Sequence, residues 1–269
     1  MNNIPIQIPD NDMNLFGILR LPENSDTLVI FLPAASGTRI GPQRIYVHIS
    51  NRLYNEKQIA SLCIDIPPHG DSYDNNTREF KGNYKEVITQ HYAFYIDKII
   101  QFLKSNYNFS NVILCSISVG CIPILKFAQS NGLNKVILLS PNHLPDVNAS
   151  IDKKNLKAYY YKLFKTETWL KLLTLNIQYK NVLGNILKIR STASKSNIVR
   201  STDNLNMVHV LCIFGERDIE LPNCQEYWRK QLNDRKILNY DEKIIENADH
   251  SFFGWEFKEE VSDEILAWL

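Results

Sequence analysis

The sequence lacks the features that mark several large classes of protein. Its 269 residues carry a net charge of only +1, which does not favour a nucleic-acid binder, because such proteins gather positive charge against phosphate. No apolar stretch approaches the roughly 20 residues that a transmembrane helix needs, and the amino terminus has neither the basic nor the apolar region of a signal peptide. We therefore expect a cytoplasmic protein without a transmembrane segment.

Cysteines and metal-binding motifs are also sparse. The five cysteines form no C-x-x-C pair, and three of them, Cys63, Cys115 and Cys212, lie in apolar, strand-like runs. This distribution favours buried free thiols over a disulfide framework or a zinc site. No H-E-x-x-H, Walker or G-x-G-x-x-G motif occurs, so the sequence gives no support for a metal or nucleotide site, and we expect no cofactor.

Short apolar runs rich in β-branched residues alternate with helical patterns along most of the chain. Nearly continuous apolar character is typical of strands buried on both faces of a parallel sheet, and strand–helix alternation predicts βαβ units. The pattern therefore predicts an α/β fold with a mostly parallel central sheet flanked by helices, edged by an antiparallel hairpin within the first 21 residues. The predicted central strands cover residues 27–32, 59–66, 111–115, 135–139 and 208–214, and one helix is predicted over 84–104.

The segment 151–200 breaks this rhythm. It contains no strand-like run and holds 11 Lys and Arg residues against two acidic ones, a net charge of +9. Aromatic residues, among them Tyr160, Phe164 and Trp169, are interleaved with its lysines. We predict a basic helical lid inserted into a core formed by residues 1–150 and 201–269, with these three aromatic residues as candidate substrate contacts. A solvated helix pair with ordinary aromatic packing is the alternative.

The sharpest local signal is the string Ser-Ile-Ser-Val-Gly at 116–120, which lies between a predicted strand and a helical pattern. This context suits the nucleophile elbow G-x-S-x-G, in which small residues flank a serine held on a sharp turn. Ser116 replaces the first glycine and Gly120 keeps the second, so Ser118 is the candidate nucleophile. A serine-rich turn without chemistry is the alternative.

Two later loops contain the groups that would activate this serine. Asp218 follows the predicted strand 208–214, at the sheet edge where ligands of open α/β sheets gather, and His250 lies in a loop before the C-terminal helix. The order Ser118, Asp218, His250, with spacings of 100 and 32 residues, permits a triad in which His250 takes the serine proton and the carboxylate orients the imidazole. The open alternatives are Glu216, Glu220 and Asp249 for the acid, and Cys115 and Cys121 for the nucleophile.

With these elements in place, the chain resembles the α/β-hydrolase fold family over nearly its whole length. Residues 65–72 resemble the family's D-x-R-G-x-G-x-S loop with the arginine missing, and residues 248–252 look like its A-D-H-x-F loop. More narrowly, the chain is similar to hydrolases associated with bacterial exosortase and exopolysaccharide gene clusters. The strings that carry this narrower similarity lie at 41–44, 139–142 and 159–164.

The resemblance implies the α/β-hydrolase fold and a serine hydrolase whose oxyanion hole is formed by the backbone amides of Ala35 and Val119. The chain departs from the family at residues 32–37, where most relatives place His-Gly. Because an oxyanion hole uses backbone N–H groups, side-chain identity there is not decisive. His69 is a candidate substrate contact in the 65–72 loop, with a structural turn histidine as the alternative.

The leading hypothesis is a serine hydrolase that cleaves or transfers an acyl group from an ester or thioester through an acyl-Ser118 intermediate. A second hypothesis is an accessory thioesterase or acyltransferase for carrier-bound acyl chains, whose basic lid docks an anionic carrier or an acidic membrane surface. The third is a hydrolase-fold binding protein without turnover, since a fold alone does not fix a reaction.

Overall fold

The computed structural model describes residues 3–34, 37–75, 84–142, 208–219 and 221–269. The strands are β1 (Asn3–Asp10), β2 (Met13–Arg20), β3 (Thr27–Leu32), β4 (Ala60–Ile64), β5 (Tyr73–Asp74), β6 (Asn111–Ile117), β7 (Lys135–Leu139), β8 (His209–Gly215) and β9 (Tyr240–Ile245). The helices are α1 (Ile45–Arg52), α2 (Tyr84–Asn106), α3 (Cys121–Asn131), α4 (Leu221–Asp234) and α5 (Trp255–Trp268). Among these described helices, none is both long and apolar enough to cross a membrane.

The strands form one sheet in the order β1-β2-β4-β3-β6-β7-β8-β9, and the two-residue β5 pairs with β2. Neighbours from β4 to β9 along this path are parallel, whereas β2 is antiparallel to both β1 and β4. The mostly parallel sheet and the antiparallel edge hairpin predicted from the sequence are thus confirmed. Parallel strands that run side by side end at the same edge, which brings the loops after β3, β4, β6, β8 and β9 together.

Both faces of the central strands are buried, as their continuous apolar character predicts. In β3, Leu28, Ile30 and Leu32 belong to one apolar cluster, which includes residues of α2, α3 and α4. Val29 and Phe31 belong to a second cluster on the opposite face, which includes residues of α1 and α5. Helices therefore cover the sheet on both sides, and the rigid layer between them fixes where each strand ends.

The sequence prediction missed β9 because this strand does not read as an apolar run. Its six residues, Tyr-Asp-Glu-Lys-Ile-Ile, include three charged side chains, and only Ile245 is buried. An edge strand that pairs on one side alone tolerates such charges, which also protect the edge from pairing with another chain. The loop after this strand carries His250, the candidate base.

The described residues belong to one compact unit that comprises Met1–Leu144 and Thr202–Leu269. The predicted lid at 151–200 lies outside the described residues and stays a prediction. The prediction of buried cysteines outside a disulfide framework is confirmed, since Cys63, Cys115, Cys121, Cys212 and Cys224 are all buried and none forms a disulfide.

Candidate active site

Ser118 lies at a sharp turn between β6 and α3. Strand β6 ends at Ile117 with extended backbone angles, one turn of 3-10 helix spans Ser118–Gly120, and α3 begins at Cys121. Ser118 itself has a φ of 58°, a left-handed conformation that is uncommon for a residue with a side chain and that concentrates at functional sites. The hydroxyl is thereby presented at the carboxyl edge of the sheet, half-buried rather than enclosed.

Residues 116 and 120, two positions before and after Ser118, must be small because they pack tightly against each other and against the loop after β3. The Ser116 hydroxyl is buried and donates a hydrogen bond of 2.9 Å to the Leu32 carbonyl oxygen at the end of β3. A Cβ atom at Gly120 would overlap the Ser116 hydroxyl and lie 3.0 Å from the Pro33 carbonyl oxygen. Serine therefore fits where the usual motif has its first glycine, and its hydroxyl links the elbow to the loop that follows β3.

His250 and Asp218 are in direct contact at the same edge of the sheet. The His250 Nδ1 atom lies 2.5 Å from Asp218 Oδ2. The Asp218 side chain is 7 % exposed and the His250 side chain 36 % exposed, so the imidazole retains an accessible face. A buried carboxylate on Nδ1 fixes the tautomer in which Nε2 accepts a proton, and it stabilises the imidazolium that results.

The loops that carry these two residues are held together by backbone hydrogen bonds. The Arg217 N–H donates to the Ala248 carbonyl at 2.8 Å, and the Glu216 N–H donates to the Ile245 carbonyl at 3.0 Å. Gly215 makes this approach possible, because a Cβ atom there would overlap the Asp249 carbonyl oxygen and lie 2.6 Å from that of Ala248. The contact between Asp218 and His250 thus depends on the backbone hydrogen bonds that join the loops after β8 and β9.

Two of the alternative acids are engaged elsewhere. A carboxylate oxygen of Glu216 accepts a 2.8 Å hydrogen bond from the backbone N–H of Asn247. The Asp249 carboxylate accepts hydrogen bonds from the Ser251 and Phe253 N–H groups, at 3.0 and 2.9 Å, and so shapes its own loop. Glu220 lies outside the described residues.

Comparison with protein-family models finds no match, and comparison with curated proteins finds none either. Solved structures do match. An α/β serine hydrolase homologue from Coxiella burnetii is 12% identical with a TM-score of 0.60, and the match covers 100% of this chain and 98% of that one. An esterase from Pyrococcus furiosus is 16% identical with a TM-score of 0.59, covering 100% of this chain and 90% of that one. A Xanthomonas campestris serine hydrolase without a lid is 12% identical with a TM-score of 0.57, covering 99% and 95%.

The chain has the α/β-hydrolase fold. Sheet order, helix placement and the turn at Ser118 agree with this assignment, as the resemblance of the sequence motifs predicts. One of the matched proteins is described as lidless, so the α/β-hydrolase fold by itself does not require the predicted lid.

In this α/β-hydrolase fold the structure describes only one of the two predicted oxyanion donors. Val119 follows Ser118 directly within the 3-10 turn and is half-buried. Ala35 lies outside the described residues, although the start of its loop is well defined. The Tyr92 hydroxyl donates a 2.5 Å hydrogen bond to the Pro33 carbonyl oxygen and fixes that start.

Ser118 and His250 are both described by the structure, and no hydrogen bond joins the Ser118 hydroxyl to the His250 ring. In enzymes without substrate this bond is often long and closes only in the complex. The contact that the structure shows is the His250–Asp218 pair. The Ser118 turn follows β6 at the same edge of the sheet, with β7 between β6 and β8.

The cysteines beside the elbow are unsuited to act as nucleophiles. Cys115 and Cys121 are fully buried, and this burial raises the pKa of both thiols well above the usual value. Because the reactive species is the thiolate, both thiols stay protonated and inert at neutral pH. The half-buried Ser118 hydroxyl is the better-placed nucleophile of this segment.

His69 lines a small cavity of about 50 Å³ next to the loop after β3. The wall also includes Pro33 and Ala34 from that loop, together with His91, which sequence reasoning did not single out. Burial lowers the pKa of His91, which keeps this imidazole neutral at physiological pH. The other candidate substrate contacts, Tyr160, Phe164 and Trp169, lie outside the described residues.

Proposed function

We propose that this protein is a serine hydrolase that cleaves or transfers acyl groups through an acyl-Ser118 intermediate. The observation that carries the proposal is the buried Asp218 carboxylate on His250 Nδ1, at the sheet edge where Ser118 occupies a strained elbow. A histidine oriented in this way and a serine on such a turn are the two parts that acyl transfer through serine requires.

The reaction follows from these groups in two halves. His250 Nε2 takes the Ser118 proton as the hydroxyl oxygen attacks the substrate carbonyl, and the negative charge that forms on the carbonyl oxygen is held by the amides of Val119 and Ala35. The tetrahedral intermediate then collapses: the carbonyl re-forms, the bond from its carbon to the leaving alcohol or thiol breaks, and the imidazolium protonates the leaving group, which leaves acyl-Ser118. Water, deprotonated by His250, attacks the acyl carbon, and Ser118 regains its proton as the carboxylic acid leaves.

Esters and thioesters are the substrates that this proposal favours. The matched protein from Pyrococcus furiosus is named an esterase, and the motif resemblance points to the same class of reaction. An alcohol that replaces water in the second half would give acyl transfer instead of hydrolysis. The basic segment at 151–200 lies outside the described residues. Its role as a docking site for an anionic carrier or an acidic membrane surface therefore stays a prediction.

The direct test is to find the covalent intermediate on the predicted residue. Purified protein mixed with p-nitrophenyl acetate, or with a short acyl thioester, and quenched in acid should carry one acyl group on the peptide that contains Ser118. Peptide mass spectrometry locates this group, since a serine ester survives acid. Turnover without an acyl-enzyme, or acylation of another residue that matches the rate of turnover, would contradict the proposal.

A further inference from the structure

The carboxylate of Asp65 is fully buried and receives hydrogen bonds from two different loops. From the loop after β3, the Arg39 N–H donates to Asp65 Oδ1 at 2.6 Å, and the Arg39 guanidinium forms an ion pair with Asp65 Oδ2. From the loop after β4, the Asp71 N–H donates to the same Oδ2 at 3.1 Å. The guanidinium also pairs with the Asp71 carboxylate at 2.7 Å.

This arrangement compensates a charge that burial would otherwise make very costly. An ionised carboxylate without exposure requires a close positive partner and hydrogen bonds to its oxygens. Burial lowers the pKa of Arg39, but hydrogen bonds to Asp71 and Asp65 raise it overall above its usual value, so the guanidinium keeps its charge. Arg39, from the loop after β3, thus supplies the positive charge beside the buried Asp65 carboxylate.

The loop after β3 is held at both ends, by hydrogen bonds to its first residues and by the contacts of Arg39 with Asp65. At the start of the loop, the Leu32 carbonyl accepts the Ser116 hydroxyl at 2.9 Å and the Pro33 carbonyl accepts the Tyr92 hydroxyl at 2.5 Å. At its far end, backbone and side chain of Arg39 both bind Asp65. The predicted oxyanion donor Ala35 lies in the chain between these two anchors.

We propose that Arg39 is a positioning residue, which with Asp65 fixes the loop after β3, the loop to which the predicted oxyanion donor Ala35 belongs. This inference rests on the proposed function. An oxyanion donor stabilises the transition state more than the bound substrate, so a loosened loop lowers kcat and leaves KM nearly unchanged. Displacement of such a donor by about 1 Å costs up to about a hundredfold in rate.

The test uses two variants of Arg39 with an ester substrate and a fluorophosphonate probe. For Arg39→Gln, which is shorter than arginine and loses both the charge and the forked guanidinium, we expect kcat to fall about 10- to 100-fold, KM to stay within about threefold, and the labelling rate to fall in parallel. Arg39→Lys keeps the charge without the forked geometry that contacts both carboxylates, so its kcat should lie between those of Arg39→Gln and wild type. The pH midpoint of labelling should not move, because His250 and Asp218 are untouched.

Arg52→Gln is the matched control. Arg52 pairs with Glu56, with Glu259 at 3.0 Å and with Asp263 at 2.6 Å, in contacts between α1 and α5. The carboxylate partners of Arg52 are partly exposed, so its loss should lower the melting temperature less than the loss of Arg39, which leaves the buried Asp65 carboxylate without its cation. The kcat of Arg52→Gln should stay at the wild-type value. This comparison separates a general loss of stability from a loss of oxyanion stabilisation.

The outcomes distinguish this inference from the proposed function. If wild type reacts and Arg39→Gln keeps its kcat, or loses only substrate affinity, the role of Arg39 is overturned while the serine hydrolase stands. If folded wild type neither hydrolyses esters nor labels, the proposed function fails and the role of Arg39 fails with it. If Arg39→Gln does not fold, the same measurements on Arg39→Lys decide: a lower kcat with an unchanged KM supports the role of Arg39, and an unchanged kcat overturns it.

Discussion

Replacement of Asp218 by asparagine is expected to lower kcat about 10⁴-fold without unfolding the protein. The Asp218 carboxylate lies 2.5 Å from His250 Nδ1, and it holds the imidazole in the tautomer whose Nε2 can accept the serine proton. An asparagine of the same shape can present its N–H₂ group to Nδ1, which stabilises the opposite tautomer. It also removes the negative charge that balances the imidazolium during reaction.

A comparison of kcat for Asp218→Asn, Glu216→Gln and Glu220→Gln will separate these candidate acids. Glu216→Gln keeps an oxygen that can accept the Asn247 N–H, so its kcat should remain within about threefold of wild type, as for a surface substitution that retains its contact. Glu220→Gln should behave in the same way. Activity of Asp218→Asn within tenfold of wild type would show that Asp218 is not the triad acid, and a loss of about 10⁴-fold confined to one glutamate variant would assign that role to the glutamate.

Gly215→Ala is expected to impair both stability and catalysis through a single steric conflict. The new methyl group would overlap the Asp249 carbonyl oxygen and lie 2.6 Å from the Ala248 carbonyl oxygen. Both obstacles are backbone atoms, so the loop that carries His250 must move away from the end of β8. We expect the free energy of unfolding to fall by about 1–3 kcal/mol and kcat to fall at least about a hundredfold.

Gly132→Ala provides the control for the glycine substitution. Gly132 has a φ of +66°, but no atom lies within 4 Å of a Cβ placed there. Its replacement costs backbone strain of about 1–2 kcal/mol far from the site, so kcat should not change. Urea unfolding and ester hydrolysis measured on both variants test the argument, and a Gly215→Ala protein with wild-type kcat would refute it.

The central sheet could be predicted from the sequence because buried parallel strands have an unambiguous pattern. β3 and β7 occupy the predicted residues, and both are buried on two faces. The predicted strand at 59–66 is shorter in the structure, where β4 ends at Ile64. Asp65 follows the end of this strand, although its N–H still donates to the Phe16 carbonyl oxygen of β2.

The sequence allowed the residues of the candidate site to be predicted, but not the contacts between them. Chain order alone suggested Ser118, Asp218 and His250, yet it could not separate Asp218 from Glu216, which lies two residues earlier on the same loop. Only the fold shows that Glu216 meets the Asn247 backbone while Asp218 meets His250.

The contact between Arg39 and Asp65 had no local signal in the sequence. These residues are 26 positions apart and come together only because β3 and β4 are parallel neighbours that end at the same edge. Contacts of this kind depend on sheet order, which apolar periodicity does not reveal.

Activation of Ser118 by His250 can be measured by labelling with a fluorophosphonate probe. Such a probe reacts with a serine that has a working base and oxyanion hole. The account predicts stoichiometric labelling of wild type at Ser118 and no labelling of Ser118→Ala or His250→Ala, with all three proteins folded by circular dichroism. Folded wild type that stays unlabelled, or His250→Ala that labels as fast as wild type, would contradict the account and favour a binding protein built on the same fold.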